Sequence, residues 1–350
     1  MHHLSRRASV SRRTTIGLDI GSGAVRAAEL SFGSAGVVLE RCATAPLPAS
    51  AVRDGEVVDT AAVSAALVEL WRSGRFSHRR VTVGIANPRV VVREVEMPHM
   101  PAADLKKALP FQVQDVLPMP VDAAVLDFHP LEVRGTGPGA VVRGLLVAAW
   151  RDTVLPLVSA VHGAKLLPEA VDLTAFAVLR AVGSGTGADA GTEAIVDIGS
   201  TVTQVVVHSG GAPHFVRILL CGGDDITGAL AERAGLSTAE AERLKRELDT
   251  GEVVDPSAAD AVRSASQTLL DEVRSTIDYA TATSGHRPDR VVLTGGGARQ
   301  GGLDLQLSAM TGLPVEVGSL THRIQPGRRL GNEHPDSATM AVGLALGAAS

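Results

Sequence analysis

A chain of 350 residues, 45% hydrophobic and 20% charged, is long enough to bury two cores, and its composition excludes wholesale disorder. A formal charge of −5 gives no general pull toward nucleic acid, and aromatic residues at 3% leave few stacking platforms for single strands. The two cysteines, Cys42 and Cys221, lack metal or redox spacing and are expected in the cores of a protein from a reducing compartment.

Residues 1–13, MHHLSRRASVSRR, carry Arg6, Arg7, Arg12 and Arg13 with no acid and no periodicity, which predicts a disordered basic tail. At about 1 kcal/mol per basic residue near an anionic lipid surface, four arginines give only a weak contact of about millimolar affinity. No apolar leader segment is visible, and no stretch reaches the ~18–20 apolar residues that span a bilayer, so a soluble, cytoplasmic chain is expected.

Residues 15–30, TIGLDIGSGAVRAAEL, read as a β-hairpin with a glycine-rich turn. Gly21 and Gly23 would let backbone N–H groups approach an anion, Ser22 adds a hydroxyl, and Asp19 could hold a hydrated Mg²⁺ against it. A third strand follows at 37–44, then an amphipathic helix near 61–71 that Ser73-Gly74 stops. Residues 81–85 are a buried strand and Asn87-Pro88 a turn. After it the texture changes. A strand at 90–95, a helix from 102 that Pro110 should kink or break, and strands near 124–131 and 144–150 form a unit that interrupts the first lobe. A helix at 153–161 returns to that lobe, a strand and helix occupy 168–182, and 183–191 reads as a hinge-like linker.

Residues 194–207, AIVDIGSTVTQVVV, repeat the opening design, with Asp197, Gly199, Ser200 and Thr201 in the second turn. Residues 217–227 read as a strand and turn with Thr227 near the next helix, and Ser237 with Glu240 forms a capping box for a helix at 238–248. A long helix spans 258–283. A buried strand then runs into Gly295, Gly296 and Gly297, whose bare backbone suits a flat ligand such as adenosine. A helix at 303–310, a strand at 314–317 and an Ala/Gly-rich closing helix at 337–348 complete the chain.

The two DIGS hairpins and the glycine strand resemble, in type and order, the phosphate-1, phosphate-2 and adenosine motifs of the actin-like ATPase superfamily. Residues 83–131, VGIANPRVVVREVEMPHMPAADLKKALPFQVQDVLPMPVDAAVLDFHPL, further resemble the PilM family, cytoplasmic actin-like components of type IV pilus assembly. The resemblance implies an α/β chain with a duplicated actin-like (RNase H-like) ATPase fold. Its first lobe would take residues 14–87 and 151–190, the inserted subdomain 88–150, and the second lobe 191–350 with a helical subdomain near 225–285.

The resemblance also implies ATP and Mg²⁺ as cofactors. Asp19 and Asp197 would hold the metal, Gly21, Ser22, Gly23 and Arg26 one end of the triphosphate, and Gly199, Ser200 and Thr201 the other. Gly295, Gly296 and Gly297 would line the adenosine, and Glu242 and Lys245 match positions that contact ribose or base. Two departures stand out: relatives usually carry Lys where Arg26 stands, and often Glu where residues 171–177, VDLTAFA, place Thr174. Slow or absent hydrolysis is expected.

The implied partner is a PilN-like single-span inner-membrane protein, docked through its cytoplasmic N-terminus, with other pilus-assembly proteins besides. The groove is expected beside strand 90–95, near Met97, Leu105 and Leu109. The chain would be cytoplasmic, peripheral at the inner face of the membrane through that partner, and homo-oligomer formation stays open. An exopolyphosphatase- or kinase-type enzyme of the same superfamily is the alternative, or a division protein resembling FtsA, although a closing membrane-targeting helix like that of FtsA is not expected from these residues.

Overall fold

The computed structural model describes residues 13–34, 36–183, 191–250, 256–320, 324–330 and 335–349. The tail through residue 12 and most of the linker expected at 183–191 therefore lie outside the described residues. Arg13, counted with the tail, instead begins the first strand, because its guanidinium can donate to the carbonyls of Ala348 and Ala349 at 2.8 and 3.0 Å.

The first lobe opens with β1 (Arg13–Ile20), β2 (Ala24–Gly33) and β3 (Gly36–Pro46), an antiparallel meander of alternating apolar residues. A two-stranded ribbon, β4 (Val52–Arg53) and β5 (Glu56–Val57), leads into α1 (Thr60–Gly74). Asp59 caps that helix by accepting from Ala62 N–H at 2.9 Å, and Val63, Leu67 and Leu70 turn inward. β6 (Arg80–Ile85) then lies parallel to β1.

The inserted unit contains β7 (Val90–Pro98), α2 (Ala102–Gln112), β8 (Ala124–Arg134) and β9 (Val141–Trp150), with a three-stranded sheet in the order β7-β9-β8. Pro110 does not break α2 at its own position; the helix ends two residues later. The i−4 carbonyl it leaves without a donor belongs to Lys106, on the exposed side. Met97 and Leu109 are buried, and with partly buried Leu105 they pack among Val113, Val142 and Leu146. These side chains belong to the unit's own core.

The chain returns through α3 (Arg151–Gly163), β10 (Leu167–Leu173) and α4 (Thr174–Val182). The second lobe repeats the first: β11 (Thr192–Ile198), β12 (Thr203–Ser209) and β13 (Ala212–Leu219) form another meander, followed by α5 (Gly223–Ala234), α6 (Thr238–Thr250) and α7 (Pro256–Ser284). Thr227, expected in a turn before the next helix, lies inside α5. β14 (Arg290–Thr294), α8 (Leu303–Thr311) and β15 (Val315–Val317) complete the sheet. The strand orders β3-β2-β1-β6-β10 and β13-β12-β11-β14-β15 superimpose step for step, parallel and antiparallel alike. The four-residue repeat in the sequence is the visible remnant of a duplicated sheet.

The last elements, β16 (Gln325–Pro326) and α9 (Thr339–Gly347), do not stay with the second lobe as expected. β16 pairs with β3, and α9 packs between α4 and the face of the first sheet. An apolar helix of Ala, Gly, Val and Leu needs cover on all sides, and that slot provides it. The fit is backbone against backbone: a Cβ on Gly343 would fall 1.9 Å from Ala177 O.

Where the inserted unit meets the second lobe, His214 of β13 stacks on His286, with ring centroids 3.5 Å apart and planes 3° from parallel. Glu94 and Arg143 face it from β7 and β9, and His208 from β12. Among the described residues neither ring nitrogen of His214 finds a hydrogen-bond partner. Burial, then the His286 charge, pushes its pKa down to about 4 from an ordinary 6.5. The unfolded chain therefore takes up this proton first. Stability from His214 is complete above about pH 6.5, falls as pH drops, and is lost by about pH 4. A series of thermal melts between pH 7 and 4 should show a shallower fall for His214→Phe than for the wild type.

Candidate functional site

The two repeated turns meet where the lobes adjoin. Each is closed by the same bond: Gly21 N–H donates to Ala24 O at 3.0 Å, and Gly199 N–H to Val202 O at 2.9 Å. Ser22 and Ser200 touch across the junction, Oγ to Oγ, at 2.5 Å. Gly23 is exposed and Thr201 half-buried in their turns.

Asp19 and Asp197 are the second-last residues of β1 and β11, and each faces a strand partner seven residues on. For Asp19 that partner is Arg26, whose Nη1 lies 3.6 Å from Oδ2. For Asp197 it is Gln204, which donates from Nε2 to Oδ2 at 3.3 Å. Burial raises the pKa of Asp19, and Arg26 opposes the rise. Burial pushes Asp197 up to about 7, and the charge on Asp19 adds to it. One aspartate thus has a cation beside it and the other only an amide, so Asp197 is the more costly to leave as a bare anion.

Gln204 was missed by sequence reasoning, although the repeat contains the signal in the position seven after each aspartate. Its Oε1 lies 2.6 Å from Thr174 Oγ1, which also lies 3.0 Å from Ile85 O. A chain of polar contacts therefore runs from β6 and α4 of the first lobe, through Gln204, to Asp197 in the second. Thr174 is only 3% exposed and its hydroxyl is occupied by protein acceptors.

The glycine triplet divides its work. Gly295 has φ +89°, and a Cβ there would fall 2.4 Å from Ile198 O and 2.9 Å from Asp197 Oδ1. Gly297 presses equally closely on Ile198, whereas Gly296 faces open space. Glu242 and Lys245 of α6 reach the same region. Lys245 Nζ bonds Gly223 O at 3.0 Å, and a Cβ on Gly223 would lie 4.0 Å from Gly297 Cα. Gly222 and Gly223, not singled out in the sequence, join this wall to the second turn: Gly223 N–H donates to Gly199 O at 2.9 Å and Asp224 N–H to Ser200 O at 2.8 Å. Gly21, Ser22, Gly23, Gly199, Ser200 and Thr201 thus lie in the two turns, Asp19, Arg26 and Asp197 on the strands that flank them, and Glu242, Lys245 and the glycine triplet behind the second turn.

The family model for the type IV pilus assembly protein PilM matches residues 17–349. The chain is similar to a solved structure described as a PilM-PilN type IV pilus biogenesis complex, at 27% identity and a TM-score of 0.83 over 97% of this chain and 99% of that one. The ethanolamine utilization protein EutJ from Carboxydothermus hydrogenoformans matches at 17% identity and TM-score 0.58, covering 95% of this chain and 89% of its own. MreB5 of Spiroplasma citri bound to AMPPNP matches at 13% and 0.52, covering 95% and 94%. The latter two likenesses are of fold, and with the duplicated sheets they show it to be actin-like α/β. Because the match runs through both lobes, the inserted unit and the returning helix, the chain belongs to the family of the type IV pilus assembly protein PilM.

Proposed function

We propose that the chain is a scaffold of the pilus machinery that binds ATP with Mg²⁺ between its lobes and docks the cytoplasmic N-terminus of a PilN-like single-span inner-membrane protein. The observation that carries the nucleotide reading is the meeting of two repeated phosphate-type turns, Ser22 against Ser200, beside the buried carboxylate of Asp197 and the partly buried one of Asp19. Gly21, Ser22, Gly23 and Arg26 would bind one end of the triphosphate, Gly199, Ser200 and Thr201 the other, and the open face at Gly296 the adenosine.

The donor set fits Mg²⁺. Among the described residues no group of three His, Cys, Asp or Glu side chains stands ready as a cage, and Mg²⁺ characteristically takes one or two carboxylates, waters and phosphate oxygens. Asp19 and Asp197 would hold it, and its charge would offset that of the phosphates. The likeness to MreB5 with AMPPNP bound adds support for a nucleotide.

Hydrolysis should be slow. Thr174 offers no carboxylate, Glu169 is paired with Arg80, and Asp172 with Arg180. Phosphate release from the purified protein should stay below ~1 per second, low for enzymes in general. A faster turnover would favour the kinase or phosphatase reading.

Similarity to a PilM-PilN complex supports the partner. Among the described residues no helix is long and apolar enough to cross a membrane, so a protein partner would supply the peripheral membrane location. Both outer strands of the order β7-β9-β8 are edges, and because β13 lies near β7, β8 is the freer edge for the leader segment to join. Adding a synthetic leader peptide to the intact protein tests the docking. Saturable binding tighter than ~1 mM is expected, and no binding up to that concentration overturns it.

A further inference from the structure

We infer that the end of the first lobe farthest from the paired turns is a contact surface for anionic lipid. β1, β6 and β10 run parallel, so the residues at their starts share one end of the sheet. Leu167 N–H donates to Arg79 O at 2.8 Å, and Arg79 Nη1 to Lys165 O at 3.3 Å. Arg13 begins β1 there, and Asp19 lies six residues on, about 20 Å away at ~3.3 Å per residue.

Two helices also end here, each on a cation in a left-handed conformation. Arg75 closes α1 at φ 50° and Lys165 follows α3 at φ 59°, two of the three described non-glycine residues with positive φ. α5 and α8 close on glycine instead, Gly235 at φ 65° and Gly312 at φ 69°. A side chain strains such a backbone and glycine does not. The dipole of a helix C-terminus favours a cation, yet α5 and α8 keep glycine.

Two more arginines arrive from the far end of the chain. β16 pairs with β3, and just after it Arg328 and Arg329 line a cavity of about 700 Å³ with Thr14, Arg41 and Ser77. The acids of that cavity are engaged. Glu29 accepts from Arg41 at 3.2 Å and from Ser77 N–H at 2.9 Å, and Glu40 from Ser31 at 2.7 Å. Glu169, exposed at the same end, pairs with Arg80. Arg13, Arg75, Arg79, Lys165, Arg328 and Arg329 are exposed, and among the described residues no acid pairs with them. This local excess runs against a whole-chain charge of −5, and Arg6, Arg7 and Arg12 precede Arg13 in the sequence.

A protein interface is anchored by buried aromatic and aliphatic side chains. Here the large apolar side chain on offer is Leu167, 56% exposed among the cations. Long cations around one leucine suit the headgroup boundary of a bilayer, where charge counts more than fit. Such contact would point the paired turns away from the membrane, and it adds to docking on a protein partner without depending on it.

Sedimentation of the full chain with vesicles, without nucleotide or partner, tests this surface. Phosphatidylcholine vesicles are compared with vesicles carrying roughly one third phosphatidylglycerol, at about 0.1 M salt, where charges are screened beyond about 10 Å. Binding to the anionic vesicles alone is expected. Each cation near such a surface is worth about fivefold, so Arg75→Gly with Lys165→Gly should weaken binding roughly twenty-fivefold. Because glycine relieves both backbones, this variant should melt no lower than the wild type. Arg328→Ser with Arg329→Ser gives a second reading of the same loss. Arg263→Ser with Arg274→Ser, which removes equal charge from α7, should bind as the wild type does. No preference for anionic vesicles overturns the inference. So does unchanged binding by both variants of this end, which leaves the contact to the residues before Arg13. Equal loss in the α7 variant overturns it too, because net charge would then suffice.

Discussion

Asp197→Ala should erase the rise in melting temperature that ATP and Mg²⁺ give the wild-type chain, and Asp19→Ala should blunt it. A ligand that binds only the folded state stabilises it by about 2.7 kcal/mol at one hundred times its Kd, which for a chain of this size is a shift of roughly 4 °C. The two variants differ because the aspartates have different neighbours. Asp19 lies beside Arg26, so removing it also frees a guanidinium to approach the phosphates. Asp197 has only the Gln204 amide, and its loss takes away an anion that nothing replaces. Thermal melts with nucleotide, with and without EDTA, read both effects: chelation of Mg²⁺ from the wild type should mimic Asp197→Ala. An unchanged shift in both variants removes the site.

How much of this was legible in the sequence depends on how local each signal is. The two turns were legible because Asp-Ile-Gly-Ser is contiguous and the hairpin bonds that shape it lie within four residues. The meander strands were legible from alternation, and the inserted unit from the change of texture between the two repeats. The destination of α9 was not legible. A helix apolar on every side carries no direction toward one lobe, and only the close approach of Gly343 to Ala177, 166 residues earlier in the chain, fixes where it goes. The packing of Met97, Leu105 and Leu109, expected beside a groove, was not legible for a related reason. Helical spacing shows that a face is apolar but not whether a partner or the protein's own sheet covers it, and here β9 covers it through Val142 and Leu146. The surroundings of Lys245, expected from the resemblance at the ribose or base, were not legible, because its three acceptors come from two helices and cannot be counted from α6 alone.

Thr174→Glu, the substitution that would restore the carboxylate found in relatives, should destabilise the fold instead of quickening hydrolysis. Thr174 begins α4 in a nearly closed space, with its Cγ2 only 2.7 Å from where a Cβ on Gly84 would stand. Its hydroxyl lies against two acceptors, Ile85 O and Gln204 Oε1. Glutamate adds bulk and puts a third acceptor between them, within a network that already ends on the buried Asp197. An uncompensated buried carboxylate costs about 3–5 kcal/mol, and overpacking adds to this. A urea melt should show a large drop in midpoint for Thr174→Glu. Thr174→Ser, which keeps the hydroxyl and loses one methyl, should cost about 1 kcal/mol. If Thr174→Glu instead melts like the wild type and releases phosphate faster, the start of α4 opens toward the nucleotide, and the Thr174–Gln204 contact is not what holds the two lobes to Asp197.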